Sequence, residues 1–139
     1  MFQKILVAYD GSIGAKRALD MALSLAGLTD AEVWTLAVEE HLPRFAATVD
    51  ETEDEKAFAD DYYQACLSAA FLHALMSGIT LKTVIRVGDA AHAIVDFARD
   101  EHIDLVVLGR SHHTGIHALF PGTTTQKVCQ RSPCSVLLV

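Results

Sequence analysis

Gly122, Thr123, Thr124 and Thr125 stand together at the head of a helical pattern that runs to about Gln130. A helix N-terminus exposes unpaired backbone N–H groups, and three hydroxyls added to that positive end make a cradle suited to phosphate. The same residues also suit a plain capping role, in which the hydroxyl of Thr123 or Thr124 accepts from the first turn. Two other positions point the same way. Asp10 closes one apolar run and Gly109 closes another. If those runs are neighbouring strands of a parallel sheet, Asp10 and the 109–125 segment face one crevice. Ligands of open α/β sheets bind there, outside the carboxyl ends of strands where the winding direction reverses.

Other chemistries find less support. The sequence holds no H-E-x-x-H, no G-x-S-x-G and no G-x-x-x-x-G-K-[ST], so zincin, hydrolase-elbow and P-loop chemistry are excluded. Gly11 and Gly14 form a G-x-x-G, which reads as a turn that lets a helix pack on a strand. His112, His113 and His117 are the candidate metal ligands, the last two one helical turn apart if that segment is helical. Ordering so long a segment would consume much of the ligation energy, and tight metal binding is not expected. With no Walker lysine and no evident base for a γ-phosphate, turnover is expected to be at most slow ATP hydrolysis.

The elements that must position these groups follow from periodicity. Five short apolar runs rich in β-branched residues lie at Ile5–Tyr9, Val33–Val38, Thr83–Val87, Asp104–Leu108 and Ser135–Val139. Helical patterns separate them, which predicts a parallel sheet with helices on both faces. Ala15, Ala18, Leu19, Ala22, Leu23 and Ala26 form the core stripe of a first helix, capped by Ser12. A second helix presents Phe58, Tyr62, Ala65, Ala69, Leu72 and Met76 as its core face and stops at Gly78, with 50–55 as an acidic N-terminal turn. A third, from about Ala90 to Glu101, buries Ile94, Phe97 and Ala98. Pro133 ends the fourth. The spans 39–53 and 109–122 remain as long connections, a length usually reserved for function.

Composition narrows the class. The 139 residues fit one domain over 1–139, and 51% apolar content is ample for a core. A formal net charge of −7 with no basic stripe excludes a nucleic-acid partner. No run approaches the roughly 18 apolar residues of a membrane span, and the N-terminus lacks signal-peptide features. Cys66, Cys129 and Cys134 are odd in number and without C-x-x-C spacing, as expected of free thiols in the cytoplasm.

V-A-Y-D-G-S at 7–12, V-G-D-A-A at 87–91, D-L-V-V-L-G at 104–109 and S-P-C-S-V-L-L-V at 132–139 together resemble the universal stress protein family. The resemblance implies an open five-stranded parallel sheet of order 3-2-1-4-5, the adenine nucleotide alpha hydrolase-like fold, with strands one and four side by side. Nucleotide-binding members carry G-x-x-G, nine residues, then G-[ST]. Here Gly109, Arg110 and Ser111 are followed by His112 in place of glycine, and Gly122-Thr123 come nine residues later. The substitution removes a residue free to adopt positive φ and is expected to narrow the site.

By the same resemblance the nucleotide-binding set is Ala8, Asp10, Val38, Leu108, Gly109, His112, Gly122, Thr123, Thr124 and Thr125. Asp10 would serve the adenine or ribose side, Val38 would offer its backbone to the base, and the threonines would hold phosphates. Asp10 also suits a role in bracing the Gly-Ser turn, and Val38 one in the core. The ligand expected is ATP, ADP or AMP, with magnesium as a companion of the phosphates. A homodimer through the C-terminal strand and an unidentified protein partner complete the expectations. The alternative is a dimeric interaction protein of the stress response that binds no nucleotide.

Overall fold

A computed structural model describes residues 1–40, 49–110 and 123–139, without the side chains of 49–55 and Thr123. Its elements are β1 (Lys4–Ala8), α1 (Ile13–Thr29), β2 (Glu32–Glu39), α2 (Val49–Met76), β3 (Lys82–Val87), α3 (Ala90–Asp100), β4 (Leu105–Leu108), α4 (Thr123–Arg131) and β5 (Ser135–Leu138). All strands run parallel in the order β3-β2-β1-β4-β5. β1 therefore lies between β2 and β4, with Ile5 opposite both Val33 and Leu105.

Successive strand residues point to opposite faces, and both faces are covered. Ile5, Val7, Val33, Leu105 and Val107 pack under α1 and α2. Leu6, Leu36 and Val106 pack under α3 and α4 with Ile94, Phe97 and Val128. At the N-terminal edge of the sheet the Asp104 carboxylate accepts from Gln3 N–H at 2.7 Å and Lys4 N–H at 3.1 Å, which clamps β1 to β4.

Helix ends follow local chemistry. The Ser12 hydroxyl accepts from Ala15 N–H at 3.2 Å, and α1 buries all six residues of its expected stripe. Behind α2, Gly78 sits at φ +77°. Its N–H bonds to Leu75 O and that of Ile79 to Ala74 O, the paired closure that a left-handed glycine allows.

The second helix corrects two expectations. It begins at Val49, so the acidic residues 50–53 lie within its first turns and not in a connection. Its buried face is Leu67, Ala70 and Ala74, with Tyr63, Cys66 and Phe71 partly buried beside them. Phe58, Tyr62, Ala65, Ala69, Leu72 and Met76 are exposed. The helix carries two apolar stripes on opposite sides, and periodicity reveals a stripe without saying which one meets the sheet.

Asp89 caps α3, its carboxylate accepting from His92 N–H at 2.9 Å. That hydrogen bond holds the Asp89 carboxyl below its ordinary range, with the His92 ring adding to the effect. A depressed folded-state pKa contributes stability that is present above the unfolded value, near 4, and is lost as pH falls through the folded value. Asp89→Ala should therefore cost about 0.5–1 kcal/mol at neutral pH. In thermal melts across pH the gap between the two proteins should close below about pH 4.

Candidate functional site

The neighbouring ends of β1 and β4 open into a cleft of about 440 Å³. It lies where β1 is flanked by β2 on one side and β4 on the other, the switch point of the sheet. Ala8 approaches from the end of β1, Asp10 and Ser12 from the β1–α1 turn, and Leu36 and Val38 from β2. Leu108, Gly109 and Arg110 come from the end of β4, and Thr124 and Thr125 from the first turn of α4.

Seven of the ten residues in the expected binding set line this one cleft: Ala8, Asp10, Val38, Leu108, Gly109, Thr124 and Thr125. His112 and Gly122 fall outside the described residues, as do His113 and His117, while Thr123 begins α4. Among the described residues no group of three or more His, Cys, Asp or Glu is arranged to hold a metal.

The β1–α1 turn is braced twice. Asp10 Oδ1 accepts from Ser12 N–H at 2.9 Å, and the Tyr62 hydroxyl donates to the Asp10 carbonyl at 3.2 Å. Gly11 adopts φ +80°, and a Cβ there would stand 2.7 Å from Cys66 Sγ. The turn is thus pressed between β1 and α2. Asp10 performs the bracing its position suggested, and its second carboxylate oxygen makes no hydrogen bond among the described residues.

Gly14 and Gly109 meet backbone to backbone. A Cβ on Gly14 would lie 2.5 Å from the Arg110 carbonyl oxygen, and one on Gly109 would run into the Gly14 carbonyl. The two glycines therefore seat the start of α1 against the end of β4, which sets the floor of the cleft.

Nine of the lining residues fall outside the expected set, four of them from α2, α3 and the residue after β2. Ile94 and Ala90 reach the cleft from α3, Tyr63 from α2, and Glu40 from the end of β2. Glu40 Oε1 accepts from Ala90 N–H at 3.1 Å, so with Asp89 it fills the N-terminus of α3 with carboxylate. The only signal for Glu40 was its place directly after a strand. Burial raises the pKa of the Tyr63 phenol, with the charges of Asp10, Glu39 and Glu40 adding to the rise. Burial likewise raises that of Tyr9, ahead of the charges of Cys66 and Asp10. Both phenols are neutral donors at pH 7.

One side of the cleft is thus acidic, with Asp10 and Glu40. On the other side of β1, Arg110, the one Lys or Arg among the described lining residues, follows β4. An elongated ligand with hydroxyls at one end and negative charge at the other matches this polarity. A second recess of about 310 Å³, bordered by Arg86, Asp89, His92 and Asp96, lies apart from these strand ends.

Since the obstacle at Gly109 is main chain, Gly109→Ala should destabilise the protein by about 1–3 kcal/mol, and Gly14→Ala should do the same. Chemical denaturation of the two single variants and the double variant checks this. The double variant should show non-additivity, because both changes disturb one contact.

Comparison with known proteins agrees with this architecture. The model of the universal stress protein family matches residues 1–139. A universal stress protein of Thermus aquaticus is 34% identical over 139 residues, covering 100% of this chain and 99% of the relative. The structure of UspA from Lactobacillus plantarum superposes with a TM-score of 0.87 at 27% identity, over 99% of this chain and 97% of that one. A universal stress protein solved in complex with cAMP superposes with a TM-score of 0.74 at 25% identity, over 99% and 97% of the two chains. The sheet order, the switch-point cleft and a full-length family match lead to one conclusion: this chain belongs to the universal stress protein family.

Proposed function

We propose that this chain is a regulatory module whose switch-point cleft takes an adenine nucleotide, ATP, ADP or AMP, and that occupancy rather than turnover is its output. The observation that carries this reading is the convergence of Asp10, Val38, Gly109, Thr124 and Thr125 on one cleft. Its volume lies within the roughly 300–1,000 Å³ of small-molecule sites. That a family member was solved with cAMP supports the ligand class.

Asp10 has one carboxylate oxygen committed to the turn, and the other is suited to accept from a ribose hydroxyl. Val38 offers backbone to the base, between the apolar surfaces of Ala8 and Leu108. The phosphates belong on the opposite side, where the N–H groups of α4, the hydroxyls of Thr124 and Thr125 and the Arg110 guanidinium supply donors. Glu40 disfavours the alternative placement, since it already fills the N-terminus of α3. Magnesium would accompany a triphosphate through the phosphate oxygens and would assist charge neutralisation. We further propose that the exposed edge of β5 pairs with its twofold mate and that the protein works in the cytoplasm.

Ligand that binds the native state alone must raise its stability by mass action, by about 2.7 kcal/mol at a hundredfold excess over Kd. Millimolar ATP or AMP should therefore raise the melting temperature of the wild type. Asp10→Ala should lower both the ligand-free melting temperature and the affinity. Asp10→Asn keeps the acceptor for Ser12 N–H, so it should melt like wild type while binding more weakly. His112→Gly should tighten binding by restoring the flexible glycine. If neither wild type nor His112→Gly responds to millimolar nucleotide, the nucleotide-free interaction protein becomes the better reading.

A further inference from the structure

Helix α2 is apolar on two opposite faces, and the sheet uses only one. Leu67, Ala70 and Ala74 are buried against it. On the other side Phe58, Tyr62, Ala65, Ala69, Leu72 and Met76 are exposed, Phe58 by 76%, Leu72 by 63% and Met76 by 88%. Their spacings of 4, 3, 4, 3 and 4 residues form a seven-residue repeat. A repeat of 3.5 keeps one stripe of a helix aligned with a second helix along its length, which a core-facing stripe does not require. At 1.5 Å per residue this stripe is about 27 Å long.

The stripe is also a palindrome. Two large residues, two alanines and two large residues follow one another, and the spacings read the same from either end. A twofold axis level with residue 67 sets Phe58 against the partner's Met76, Tyr62 against the partner's Leu72 and Ala65 against the partner's Ala69. Alanine against alanine lets two helix backbones approach closely at the centre, while large side chains fill the space where the helices diverge. Self-complementarity of this kind is what an isologous interface requires. Charge sets the direction. All seven carboxylates of α2 lie between Asp50 and Asp61, and none follows. A parallel pair would place two acidic arrays side by side, whereas the antiparallel pair sets Asp60 and Asp61 level with Ala74 and His73 of the second copy and carries 50–55 past the end of its α2.

We propose that the exposed stripe of α2 is an antiparallel seam that joins two copies of this chain. It is separate from the β5 edge, because α2 covers β2 and β3 at the other end of the sheet. The seam reaches the cleft through Tyr62, whose hydroxyl holds the Asp10 carbonyl.

Sedimentation of the full chain between about 1 and 200 µM tests the seam. Association through the seam should be at least about tenfold weaker in Leu72→Glu, leaving monomer, or the β5-paired dimer where that edge also associates. Circular dichroism should show its fold unchanged, since the position is exposed. Phe58→Glu and Met76→Lys should each weaken association alone. An equimolar mixture of these two should restore it, because the antiparallel pairing brings the new charges together. Identical mass distributions for wild type and Leu72→Glu, or a mixture no more associated than its components, would overturn the proposal.

Discussion

The contact between Gly14 and Gly109 governs the geometry of this molecule at its working end. Without Cβ atoms the two backbones approach closely enough for α1 to start directly above the end of β4. The Asp104 carboxylate fixes β1 to β4 at the far edge, so the two central strands are held at both ends. The centre of the cleft is positioned from this pair of strands. Asp10 follows β1, Gly109 and Arg110 follow β4, and α4 returns beneath them. A side chain at either glycine would run into main chain, so α1 and the end of β4 could not keep this approach.

The electrostatics of the cleft come from where the helix termini are filled and where they are not. Asp89 and Glu40 both bond N–H groups of α3, which neutralises that positive end. The N-terminus of α4 carries threonines and no acidic residue in its first turn. Two helices on the same face of the sheet thus differ in what they offer an anion. The polarity across the cleft, acid at Asp10 and Glu40 and donors at α4 and Arg110, gives a ligand one favoured direction.

Much of this was legible in the sequence because it rests on local patterns. Continuous β-branched runs separated by helical stripes predicted the parallel sheet, and the family motifs implied its order, which the structure has. The Asp10, Gly109 and threonine positions converge because strand ends are marked by the residues that stop the strands. Two features were hidden for physical reasons. The α2 stripe carries the right residues at helical spacing, yet the choice between its two faces is made by tertiary packing against β2 and β3. Tyr63 enters the cleft from an element distant in sequence, and Glu40 is marked only by its place directly after β2. In the sequence Gly14 reads as a packing glycine and Gly109 as a ligand-binding one. The structure gives Gly109 a structural duty as well.

An amide-resolved NMR titration of the full chain with ATP and with AMP, carried to millimolar nucleotide, tests the central claim most directly, since it reports binding and its location at once. The account predicts saturable shifts concentrated at Asp10, Gly109, Arg110, Thr124 and Thr125. Residues bordering the second recess, Arg86, His92 and Asp96, should stay unchanged. An absence of shifts at millimolar nucleotide, or shifts confined to that second recess, would contradict it.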